Sequence, residues 1–116
     1  MKLETLQSWH AKINRDIFGG ILSDVVITRT RNTRLFGSYI TPETDANYDY
    51  APIIEIADWV EPNAQVPTIA HEMIHQYQEQ ILDWDMDEIS DNEAHGEMFE
   101  MWAVKIQRFY GWDVRP

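Results

Sequence analysis

Residues 69–75 read Ile69-Ala70-His71-Glu72-Met73-Ile74-His75. Around them, Ile69, Ala70, Met73, Ile74, Tyr77 and Ile81 recur at helical spacing. That stripe predicts a helix ending near Leu82, with Pro67 in its first turn, where a missing N–H is harmless. Residues i and i+4 lie one turn apart on one helical face, so the imidazoles of His71 and His75 can reach one ion. Glu72 sits about 100° further around the helix, within reach of a water held by that ion but not itself a ligand. An ion at such a site acidifies its water, and Glu72 can take the proton as general base. The same letters arise on helices that merely expose two histidines. What favours a metal site is the position of the motif inside the strongest helical stripe of the chain.

Catalytic zinc usually takes three protein ligands and leaves a fourth position open. His95 is the only histidine after His75. It precedes the apolar positions Met98 and Phe99 by three and four residues, which puts it on the inward face of a last helix expected from Asn92 to Tyr110. Gly96 beside it permits close backbone packing. Glu93 is the competing ligand, because a His/His/Glu set is equally good chemistry. The remaining histidine, His10, reads as a packing residue of the first helix. Glu72-Met73-Ile74-His75 also fits the Glu-x-x-His element of di-iron bundles, but those need a second copy and the chain has none. The chain holds no cysteine, so thiolate ligands, thiolate nucleophiles and disulfides are excluded.

Outward from the motif, the pattern predicts an α+β fold. Leu3, Leu6, Ile13 and Ile17 mark a first helix over residues 2–17, ended by Gly19-Gly20. Val25–Arg31, Leu35–Thr41 and Ile53–Ala57 read as three strands. The first two would be joined through Asn32-Thr33, and the polar stretch Thr41–Ala51 would be a loop. Short connections point to a three-stranded, mostly antiparallel meander with Ile53–Ala57 at its edge. The helix bearing His71 and His75 would cover it. Asp83–Asp91 is acidic and aperiodic, and reads as a loop. Met98, Phe99, Trp102, Ile106 and Phe109 would form the inward face of the last helix.

With 116 residues the chain is expected to form one domain spanning 1–116. Its net charge is −11. Residues 1–60 carry six Lys/Arg and eight Asp/Glu, a net of −2, and residues 61–116 carry three and twelve, a net of −9. Such a surface repels phosphate backbones, so nucleic acid is not the expected partner. The trio Arg29, Arg31 and Arg34 is the one local exception, and reads as a solvated strand face. No apolar run is long enough for a membrane span, and the N-terminal stretch lacks a signal-peptide core. A cytoplasmic protein is expected.

The arrangement resembles the SprT-like domain family of zinc metallopeptidases, which includes the Spartan protease domain. The resemblance begins at Ile17-Phe18-Gly19-Gly20-Ile21-Leu22. It continues through Gly37 and Ile53-Ile54-Glu55-Ile56, and is sharpest at Ile69–His75 and at His95-Gly96-Glu97-Met98-Phe99. It implies a minimal zincin: helix, antiparallel sheet, active-site helix, closing helix. It implies one Zn²⁺ held by His71, His75 and His95, with Glu72 as catalytic base and a polypeptide as substrate. Many members add a Cys-rich zinc ribbon, and crosslink-cleaving relatives add DNA-binding parts. This sequence shows neither, so the expectation covers fold, metal and peptidase chemistry, not repair. An extended substrate is expected along Ile53–Ala57, with the acidic loop Asp83–Asp91 rimming the cleft and favouring basic polypeptides. The contrasting expectation is a non-catalytic module in which zinc only stabilises the fold.

Overall fold

In a computed structural model, which describes residues 1–31, 34–41 and 51–116, the chain builds three long helices, one short helix and a three-stranded sheet. Their order is α1 (Leu3–Phe18), β1 (Val26–Thr30), β2 (Gly37–Ile40), β3 (Ile53–Ala57), α2 (Pro62–Gln80), α3 (Asp91–Ala94) and α4 (Glu97–Tyr110). The expected α+β class holds. The turn at Asn32-Thr33 and nearly all of the loop Thr41–Ala51 lie outside the described residues.

The sheet corrects the meander. Its order is β1-β3-β2, with β3 in the centre. β1 runs parallel to β3, pairing Val26 with Ile53 and Thr30 with Ala57. β2 runs antiparallel to β3, pairing Gly37 with Ile56 and Ile40 with Ile53. The sheet is therefore mixed rather than mostly antiparallel, and β1 and β2 are not partners. Chain neighbours usually pair, but composition overrides that habit here. β3 is the most apolar strand, with Ile54, Ile56 and Ala57 fully buried, and a strand that apolar loses least by being covered on both edges. β1 carries Arg29, a charge suited to an exposed edge.

α1 forms on the buried positions Leu6, Ile13 and Ile17. It ends where Gly19 adopts a left-handed conformation (φ 68) and Gly20 donates to the Asn14 carbonyl at 2.9 Å. α2 begins one turn earlier than expected. Pro62, not Pro67, occupies its first position, and Pro67 sits in the second turn, where it gives up the bond to the Asn63 carbonyl. Buried Ile69, Ala70, Met73 and Ile74 seat α2 on β2, β3 and α1. Asp83–Ser90 is irregular, as expected.

The expected single helix 92–110 is two. Ser90 caps α3 by accepting the Glu93 N–H at 3.3 Å. His95 then leaves helical geometry (φ −108, ψ 23), and Gly96 starts α4 from an extended conformation. Phe99, Ala103 and Ile106 bury the inner face of α4, but Phe109 is exposed rather than inward. Helical spacing placed it beside Ile106, yet it is 56% exposed. His10 is buried and bonded to Gln76 at 2.9 Å, the packing role expected of it. Among the described residues no helix is long and apolar enough to cross a membrane.

Candidate metal centre

The i, i+4 spacing on α2 aims His71 and His75 the same way, and the break before α4 swings His95 towards them. The Nε2 atoms of His75 and His95 stand 3.2 Å apart, and those of His95 and His71 stand 3.3 Å apart. The three ligand atoms lie within 4.8 Å of one another. Two nitrogens bound at ~2.0–2.1 Å by a tetrahedral ion would stand about 3.3–3.4 Å apart. The two edges that meet at His95 therefore match the spacing a zinc-sized cation imposes.

Each ring is held by its other nitrogen. His71 Nδ1 donates to the Val114 carbonyl at 2.6 Å, and His95 Nδ1 to the Asp91 carbonyl at 3.0 Å. His75 Nδ1 donates to Gln78 Oε1 at 2.9 Å. The Gln78 amide cannot be turned over, because its Nε2 donates to the Ala94 carbonyl at 2.8 Å. Carbonyl oxygens only accept, so in the neutral rings the proton sits on Nδ1 and the lone pair on Nε2. Neutrality is favoured for His71 and His75. Burial lowers the His71 pKa, against the Val114 bond, and lowers His75 to about 4, against the Gln78 bond. With the rings neutral, the three Nε2 lone pairs converge, an arrangement that a cation relieves. Phe99 closes the cluster from below, its ring centroid 4.8, 5.4 and 4.9 Å from those of His71, His75 and His95.

Glu72 is outside the ligand cluster and next to it, with Oε2 3.9 Å from His71 Nε2. Burial pushes its pKa up to about 8, against a backbone hydrogen bond from Tyr39 of β2. A dication in the cluster would act in the same direction as Tyr39 and favour the carboxylate. Glu72, His71 and His95 line a cleft of about 660 Å³ together with Phe36, Gly37, Val114 and Arg115.

The four residues expected from sequence, His71, Glu72, His75 and His95, are therefore brought together. Glu93 is not part of the cluster: it is exposed and its side chain faces Ser90. Asp91, from the end of the acidic loop, does line the cleft. Of the arginine trio, Arg29 is bonded to the Met1 carbonyl and Arg31 lies 3.5 Å from Asp58. Four supporting groups were not anticipated: Gln78, the Tyr39 N–H and the Val114 and Asp91 carbonyls. Gln78 was legible in principle, since i+3 shares the face of His75. The other three are backbone groups that any residue supplies, so no sequence signal marks them. Compared with protein-family models, the chain has no match, and compared with curated proteins it has none either.

Proposed function

We propose that the chain is a zinc-dependent peptidase of the SprT-like, zincin-like kind, with a polypeptide as its substrate. One observation carries this: three histidine lone pairs, each fixed by an acceptor on the opposite ring nitrogen, converge beside a buried carboxylate that faces a cleft. The element order supports it too, with a first helix, a sheet, the helix of His71 and His75, and His95 ahead of a closing helix.

His71, His75 and His95 would hold the metal through Nε2. A zinc ion there supplies a Lewis acid that polarises a peptide carbonyl and acidifies water. Glu72 accepts a proton on its carboxylate and returns it to the leaving amine. The Tyr39 N–H orients that carboxylate, and Phe99 keeps bulk water from the far side of the rings. The substrate strand has a different seat from the one expected. β3 is central and paired on both edges, so among the described residues the open edge beside α2 belongs to β2. Phe36 accepts the Ala57 N–H at 2.9 Å, and alternation along an antiparallel ladder then turns Gly37 and Tyr39 away from β3. Tyr39 serves Glu72, which leaves the Gly37 backbone facing the cleft for an extended peptide.

The other reading is a structural metal in an interaction module. A structural zinc takes four protein ligands, whereas the described residues offer three, and the cluster borders a cleft. The test is zinc content and cleavage of an unfolded polypeptide. Glu72→Gln should keep one zinc per chain and lose about 10²–10⁴-fold in rate. His95→Ala should lose the zinc. One bound zinc with no hydrolysis by the native chain would favour the structural reading.

A further inference from the structure

Of the three acceptors that fix the imidazoles, two come from the segments that carry the ligands. Gln78 is one turn beyond His75 on α2, and Asp91 is one turn before His95. The third, the Val114 carbonyl, is 43 positions from His71, in a segment that contributes no ligand.

That segment follows α4. Gly111 ends the helix in a left-handed conformation (φ 80), and residues 111–116 have no regular structure. They are nonetheless fixed at several points. Trp112 stacks on Tyr110 with centroids 4.4 Å apart and meets Trp9 of α1 edge-on at 5.6 Å. The Arg115 guanidinium donates to Gln107 at 2.9 Å and lies 3.3 Å from Glu100, both on α4. Between these anchors Val114 is 4% exposed and packed in the main core. Its carbonyl accepts from His71 Nδ1 at 2.6 Å.

We propose that residues 111–116 are a positioning element of the metal centre: docking of Trp112 and Arg115 onto α1 and α4 holds the Val114 carbonyl against His71 and so fixes the tautomer and aim of that ring. This rests on reading the three histidines as a metal site, not on peptidase activity. Without the carbonyl, His71 can place its proton on Nε2, the form that cannot bind metal through that nitrogen, and the ring is free to turn. Losing such an outer partner typically weakens metal affinity about 10–100-fold. The coupling is reciprocal, so metal strengthens docking of the segment by the same factor.

The experiment compares the full chain, a chain ending at Asp113, and Val114→Ala, which trims the buried side chain but keeps the carbonyl. Zinc affinity is measured by competition with a chromogenic chelator. The shortened chain should bind about 10–100-fold more weakly, and Val114→Ala should bind like the full chain at lower thermal stability. Equal affinity of the shortened and full chains overturns the proposal. So does an equal loss in Val114→Ala, which would assign the effect to packing. If the shortened chain fails to fold, Trp112→Ala loosens the segment from α1 and should still weaken binding; unchanged affinity there overturns it. Nitrogen NMR of the metal-free proteins gives a readout that packing alone does not move. His71 should be protonated on Nδ1 in the full chain and lose that preference in the shortened one, and a preference retained after shortening overturns the proposal. If the full chain binds no zinc, the metal reading fails, while the tautomer measurement still decides the role of the segment.

Discussion

Glu72 and His75 are close in space and shifted in opposite directions, and both shifts disfavour charge. Glu72 is raised to about 8 by burial, so the metal-free fold gains from its protonated form below pH ~4.5 and loses that gain as pH rises through about 8. His75 is lowered to about 4 by burial, so its contribution is complete above pH ~6.5 and is lost as pH falls through about 4. Between pH ~4.5 and ~6.5 the two slopes oppose each other. Above pH ~6.5 only that of Glu72 remains. Metal-free protein should therefore lose thermal stability from pH ~6.5 to ~8, and Glu72→Gln should remove most of that loss. Parallel melting curves for the two proteins would show the Glu72 assignment wrong. The spacing of His71, Glu72 and His75 was readable because a helix converts sequence offsets directly into directions. The orientation of the rings was not, because Val114 and Asp91 act through main-chain carbonyls.

The element that most depends on a single residue is β2. A Cβ on Gly37 would stand 2.8 Å from the Glu55 carbonyl oxygen and 2.8 Å from Thr68 Cγ2. The first contact is backbone, so the strand itself would have to move. Gly37→Ala should cost about 1–3 kcal/mol, the usual range for overpacking. It should also pull the Tyr39 N–H from Glu72 and lower the hydrolysis rate more than it lowers zinc affinity. Equal losses in rate and affinity would show that β2 supports only the fold. The sequence revealed that three strands exist, but not their order. Local pattern cannot say that β3 inserts between β1 and β2, since that choice depends on which strand gains most from two covered edges. Likewise the stripe Met98–Phe109 lies wholly beyond His95-Gly96, so it carried no sign that His95 leaves helical geometry and divides α3 from α4.

At the scale of the whole molecule, the cluster ties α2 to the segment before α4, and Val114 adds the last residues of the chain. A ligand that binds only the native state stabilises it by mass action. Zinc at about a hundred times its Kd should add about 2.7 kcal/mol, a rise in Tm on the order of 10 °C for a domain of this size. A chelator should reverse it, and an unchanged Tm would mean that the three histidines do not hold the ion in solution. The strand order carries a kinetic consequence. Val26 of β1 meets Ile53 of β3 only after the intervening chain, β2 included, has been laid aside. Pairings so distant along the chain form slowly, and the contacts of His95 and Val114 come from residues later still. The ion therefore meets a complete set of ligands only when most of the fold already exists. Interactions absent from the folding transition state slow escape from the native state and leave its formation rate unchanged. In stopped-flow traces zinc should act as a brake on unfolding, with the refolding limb of the metal-free protein left where it was.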